Sequence, residues 1–293
     1  MKYLSLILLT WLFANPAQAQ PAPLETRVLR TSTASFDTNI VLIMGEKKAV
    51  LVDAPFTRAD AHRVVAMILE SGRTLETIYI THDHPDHYYS VEVVTQAFPE
   101  AKLVAAPAVV ADIWHSLPFK VQRWTQSLGA NGPRYQTAPA ALEGDTIMLE
   151  GQAIKLIGPM QGDVAHSTAL WIPSTRTLIS GDLVYAQIFP WFVESDPTQI
   201  AEWGRSLDAL AALDPKTIIP GHSKAGLPFD AAGLDFTRRY IAEWPKLVAQ
   251  AKDSKDLRAR VKARFPQAEE ALDEFGLVTS ARVAMGEEKK WEE

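Results

Sequence analysis

The apolar run Thr77-Ile78-Tyr79-Ile80 passes directly into Thr81-His82-Asp83-His84-Pro85-Asp86-His87. Four apolar or β-favouring residues in a row read as a buried strand, and the stretch after His87 reads as a helix ending near Phe98, before Pro99. Three imidazoles and two carboxylates at the end of a buried strand cannot be enclosed without partners. The fold must therefore bring that strand end to an open edge. Layered α/β folds do this, because they hold the side chains at strand ends rigidly yet leave them accessible. His82, His84, Asp86 and His87 are also the neutral imidazole and carboxylate ligands that zinc accepts. Four such groups within six residues exceed one tetrahedral site, which suggests two metal ions.

The rest of the chain repeats the alternation of strand and helix. Val41–Met44 and Ala49–Val52 flank Gly45-Glu46-Lys47-Lys48 and read as a hairpin. Thr57 is placed as the N-cap of a helix over 57–71, with Ala61, Val64, Val65, Ile68 and Leu69 on one face and Gly72 closing it. Lys102–Ala105 reads as a strand and Pro107 to about Leu128 as helical. Residues 129–145 read as loop. Short strands are expected at 146–149, 153–157, 168–172 and 177–180, a helix over 195–213 and a strand at 217–219. From Gly233 the pattern is helical, and the charged tail after Gly286 is expected to fray. Strands and helices in two similar halves imply an α/β layered fold.

The sequence of 293 residues contains no cysteine. That excludes disulfides, thiolate nucleophiles and Cys-ligated zinc, and leaves any metal to His, Asp or Glu. The net charge of −6 and the lack of a basic stripe argue against nucleic acid. Lys2, the apolar run Leu4–Phe13 and the small-x-small Ala17-Gln18-Ala19 form a signal peptide over residues 1–19. The expected product is periplasmic or secreted, with no stable membrane anchor after cleavage. Residues 20–232 are expected to form the main domain and 233–293 a C-terminal helical extension packed on it.

Three further candidates lie at predicted strand ends or beside a strand: His166 in Gly162-Asp163-Val164-Ala165-His166-Ser167, Asp182 after Ser180-Gly181, and His222 after Pro220-Gly221. With these motifs in this order, the chain resembles the metallo-β-lactamase superfamily over roughly 27–222. The resemblance implies a four-layer αβ/βα sandwich with extra C-terminal helices, and two metals in a groove at one edge. It implies that His82, His84 and His166 hold one ion, that Asp86, His87 and His222 hold the other, and that Asp182 bridges them. The ions are expected to be Zn2+, two per chain, with Mn or Fe also accepted by such ligands. Ser167-Thr168 follows His166 where relatives often carry Thr-x-Gly, and Asp163 competes for its place. Asp53 matches either an outer support of the ligands or a helix cap.

The implied chemistry is a hydroxide shared by two cations attacking an acyl carbonyl, with Asp86 orienting it and moving a proton. A bridging Asp182 is similar to the lactonase, thioesterase and glyoxalase-II branches. The expected substrate is a small molecule, namely a lactone, ester or thioester. A β-lactam is the alternative within the fold. An oxygenase acting on sulfur with a single iron, and a metal-binding protein without turnover, are the other readings. Tyr185, three residues after Asp182, is spaced as in acyl-homoserine lactonases, where it donates to the substrate carbonyl; the other reading is a core or rim tyrosine. Phe189, Trp191, Phe192, Tyr88 and Tyr89 form either a pocket wall or core. His62 and His115 fit no motif. Oligomeric state is open.

Overall fold

The computed structural model describes residues 22–271 and 275–291; residues 1–19, where a signal peptide is expected, lie outside the described residues. The first half is a six-stranded sheet built of β1 (Glu25–Arg30), β2 (Asn39–Met44), β3 (Lys48–Val52), β4 (Thr74–Ile80), β5 (Lys102–Ala105) and β6 (Ala140–Ala141), in that spatial order. β1, β2 and β3 pair antiparallel, and β3 to β6 pair parallel. The parallel part needs crossovers, supplied by α1 (Arg58–Ser71), α2 (Val91–Ala97) and α3 (Pro107–Leu128). α1 begins and ends as the sequence indicates: Thr57 accepts from the Asp60 N–H, and Gly72 takes the left-handed conformation at φ 67°. β1 escapes sequence pattern because it is an edge strand whose charged residues interrupt any apolar run.

The second half is a five-stranded sheet of β7 (Thr146–Leu149), β8 (Gln152–Met160), β9 (Ser167–Ile172), β10 (Thr177–Ile179) and β12 (Thr217–Ile219), in the order β12-β10-β9-β8-β7. Two short strands, β11 (Tyr185–Ala186) and β13 (His222–Ser223), pair parallel at its edge. α4 (Pro197–Ala211), α5 (Ala231–Gln250), α6 (Ser254–Arg264) and α7 (Phe275–Ala284) belong to this half. Among the described residues no helix is long and apolar enough to cross a membrane.

Strand alternation sorts the core into three layers of contact. Val41, Ile43, Val50 and Val52 of the first sheet meet Ile154, Leu170, Ile172 and Ile219 of the second. The opposite pleats Ile40, Leu42, Leu51, Ile78 and Ile80 pack on α1, α2 and α3. Ala169, Trp171, Leu178 and Ile218 pack with α4, α5, α6 and α7. The result is the four-layer αβ/βα sandwich expected from the sequence. Trp203 of α4 is fully buried and its indole N–H donates to the Leu183 carbonyl at 3.0 Å. Trp203→Ala is expected to cost about 3–5 kcal/mol of stability, read as a lower urea midpoint at unchanged slope.

The expected fraying of the tail is corrected. Trp291 is buried, its backbone N–H donates to the Val193 carbonyl at 3.3 Å, and the Arg123 guanidinium lies 3.4 Å over its ring. One aromatic side chain anchors a segment whose charges alone read as solvated.

Candidate metal centre

Six loops converge at one edge of the sandwich. β3 delivers Asp53, β4 delivers His82 to His87, the β8–β9 turn delivers Asp163, β10 delivers Asp182, the segment after β11 delivers Glu194, and β12 delivers His222. Two glycines permit this approach. A Cβ at Gly221 would fall 1.8 Å from Asp182 Oδ1, and one at Gly181, with φ +49°, would fall 2.8 Å from Thr81 Oγ1.

Two ligand clusters result. His82, His84, Asp163 and Asp182 bring donor atoms together in one, and Asp86, His87 and His222 in the other. Asp182 faces both: its Oδ1 lies 3.1 Å from His87 Nε2, and its Oδ2 lies 3.1 Å from His222 Nε2 and 3.7 Å from His82 Nε2. The structure thus brings together His82, His84, Asp86, His87, Asp182 and His222.

His166 does not join them, and that expectation is corrected. Its side chain is half exposed, and Nδ1 lies 2.7 Å from Asp112 Oδ2 on α3. Asp163 occupies the inner position, fully buried, with Oδ2 at 2.9 Å from His84 Nδ1. The turn decides between them. The Gly162 N–H donates to the Val164 carbonyl, and Asp163 Oδ1 accepts from the Val164 N–H at 2.9 Å. This tight turn directs Asp163 inward and leaves His166 on the outer side, against α3.

The outer nitrogen of each imidazole has its own partner, which assigns the tautomer and aims the other nitrogen at the cluster. His87 Nδ1 donates to Asp53 Oδ2 at 2.7 Å, and His222 Nδ1 to the Phe36 carbonyl at 2.8 Å. Thr81 Oγ1 donates to Asp53 Oδ2 and accepts from His82 Nδ1, both at 2.9 Å. His84 Nε2 donates to Glu194 Oε2 at 3.2 Å. Asp53 therefore serves as an outer support and not as a helix cap, and it holds that place at φ 66°, a strained backbone for a non-glycine residue. Asp86 Oδ2 accepts from Thr38 Oγ1 at 2.9 Å. Asp83, the remaining acid of the motif, turns away. It accepts from Lys120 Nζ at 2.8 Å and Ser116 Oγ at 3.1 Å, and the buried ammonium holds its carboxyl well below the usual range despite burial.

Sequence reasoning missed Glu194, Thr38 and Thr81. Glu194 lies far from His84 in the chain and carries no motif. Thr81 adjoins the motif but binds through a hydroxyl, a group with no metal signature. His62 and His115 are exposed.

The donor set fits divalent cations. His82 Nε2, His87 Nε2 and Asp182 Oδ1 are buried and make no hydrogen bond. Burial opposes the charged form of His222, but Asp182 and Asp86 outweigh it and raise its pKa to about 10. Burial and then Asp182 act in the same balance on His87, whose pKa is also raised. The carboxylates therefore favour positive charge at these nitrogens, and a metal cation competes with protons for the same lone pairs. Asp163, desolvated and beside Asp182, is pushed up to about 6.

Tyr185 is buried. Its hydroxyl lies 2.7 Å from Asp182 Oδ2 and 3.0 Å from Asp163 Oδ2, and its ring stacks on His222 at 5.2 Å. Burial and the neighbouring carboxylates raise its pKa, so the phenol stays protonated and donates. In this geometry it holds ligands. Tyr185→Phe is expected to weaken metal affinity about 10–100-fold, measured by competition with a chromophoric chelator. A pure donor to substrate would lower kcat and leave metal affinity unchanged.

Fold and site together define a metal-dependent hydrolase. Residues 35–222 match the family model of the metallo-beta-lactamase superfamily, and the chain belongs to that superfamily. A hydroxyacylglutathione hydrolase from Acidiphilium cryptum is 26% identical over 230 residues, covering 78% of this chain and 81% of its own. Among solved structures, a metallo-beta-lactamase family protein from Thermus thermophilus aligns with a TM-score of 0.61 at 20% identity, over 88% of this chain and 92% of its own. A metallo-beta-lactamase from Pontibacter korlensis aligns at 0.54 and 16% identity, over 70% of this chain and 87% of its own.

Proposed function

We propose that the protein is an exported dinuclear zinc hydrolase that opens the acyl bond of a lactone, ester or thioester. The observation that carries this reading is the placement of Asp182, whose Oδ2 lies 3.1 Å from His222 of one cluster and 3.7 Å from His82 of the other. His82, His84 and Asp163 would hold one ion, Asp86, His87 and His222 the other, with Asp182 shared. Bound ions supply Lewis acidity and a water acidic enough to ionise near neutral pH. The chain's own residues do the rest. Asp53, Thr81, Glu194 and the Phe36 carbonyl fix the imidazoles. Asp86, oriented by Thr38, has the position to accept and return a proton beside the ligands. The name of the Acidiphilium cryptum relative, hydroxyacylglutathione hydrolase, agrees with this class.

Mass spectrometry of metal content before and after chelation, with assays on lactone, ester, thioester and β-lactam substrates, tests the reading. Two zinc per chain are expected, with turnover lost on chelation and restored by zinc. One iron and no hydrolysis would replace the reading with the oxidative one. Export rests on residues 1–19; a mature N-terminus at Gln20 is expected, and one at Met1 would overturn it.

A further inference from the structure

Four ligands, His84, Asp86, Asp182 and His222, form the floor of a groove above the metal centre. Its walls are aromatic. Trp191 stacks on Phe275 at 5.5 Å and meets Trp291 edge-on at 5.3 Å. Phe275 meets Phe36 at 6.0 Å and Trp124 at 5.8 Å. Phe36, Trp124, Trp191 and Phe275 all keep part of their surface exposed, while Phe192, Tyr88 and Tyr89 are buried in the core. Two walls, Phe275 and Trp291, come from beyond the 35–222 match, so the C-terminal segment completes the groove.

The charge at the groove is one-sided. No Lys or Arg is among the described residues that line it. Arg123 is stacked over Trp291 and Phe119 and is not part of the lining. Lys120 is tied to Asp83. Three carboxylates, Asp86, Asp182 and Glu194, line it instead. Glu194 is already engaged by His84 and by the Trp191 indole N–H.

The geometry points to a neutral, apolar acyl or aryl group as the part of the substrate that this groove reads, with Trp291 and Phe275 as specificity-determining residues. Partly exposed rings such as Phe36, Trp124, Trp191 and Phe275 gain by covering apolar surface, and the buried Trp291 backs Trp191 edge-on. A carboxylate remote from the reacting bond would enter without a counter-ion and be penalised. This inference rests on the acyl-hydrolase reading and names its substrate class.

The test uses the zinc-loaded full chain with aryl esters from acetyl to octanoyl, their ω-carboxylate counterparts and their ω-trimethylammonium counterparts. Expected is a rise in kcat/KM of about fourfold per methylene until the groove is filled. A loss of tenfold or more is expected for the ω-carboxylates. Trp291→Ala is expected to flatten the dependence on chain length, and Trp291→Phe to retain most of it. A flat series, or a preference for either charged series, overturns the inference while leaving the hydrolase reading intact. Absence of any hydrolysis sinks that reading instead. The inference then stands or falls on binding: quenching of the wall tryptophans by neutral N-alkylacetamides must sharpen from butyl to octyl in the wild type and not in Trp291→Ala.

Discussion

Asp182→Ala is expected to abolish both halves of the metal centre in one substitution. The variant should bind metal far more weakly at either cluster and lose roughly 10³-fold or more of its turnover, since the charge stabilisation supplied by bound ions amounts to several kcal/mol. The cause is geometric. Among the described residues, Asp182 is the carboxylate whose Oδ1 faces His87 and whose Oδ2 faces both His222 and His82. Its removal also leaves those imidazoles facing one another without the negative charge that raises the pKa of His87 and His222. Metal titration followed by calorimetry checks this. Wild-type stoichiometry in the variant would show that Asp182 is not shared.

Asp163→Ala and His166→Ala are expected to part company completely. The first should lower metal content toward one ion per chain, because Asp163 closes the cluster of His82, His84 and Asp182. The second should retain both ions and near-wild-type turnover, since His166 contacts Asp112 at the surface. Surface substitutions of this kind usually change stability by no more than about 0.5 kcal/mol. Loss of metal from His166→Ala would mean that the turn between β8 and β9 rearranges on loading.

That contrast shows what a sequence can and cannot carry. His82, His84, Asp86 and His87 were legible because one strand end holds all four, so a local pattern suffices. Asp182 and His222 were legible because each follows an apolar run and a glycine. Asp163 and His166 share one turn, and the choice between them depends on which side chain the turn sends inward. That direction is set by the Gly162 to Val164 backbone bond and by the Tyr185 hydroxyl, neither of which has a spacing rule. Alternation made an α/β layered fold legible and the resemblance implied the four-layer sandwich; β1, with its charged edge residues, and the two-residue strands β6, β11 and β13 carry too little pattern to be read. Glu194 and Trp291 were not legible as site residues: they act through contacts made only after the second half has folded onto the first.

The ligands are divided between the two sheets: His82, His84, Asp86 and His87 follow β4, whereas Asp163, Asp182 and His222 adjoin β9, β10 and β12. Beneath them the Thr168 N–H and hydroxyl both donate to the Thr81 carbonyl, stitching one sheet to the other. An ion held at this seam ties distant parts of a chain that has no cysteine for a covalent tie. Because the site exists only in the folded chain, such an ion would stabilise the fold by binding it selectively, and reversibly, unlike a disulfide. The grip of one half of the molecule on the other would then vary with the free concentration of the ion around it, so the ion would support the fold as well as the chemistry.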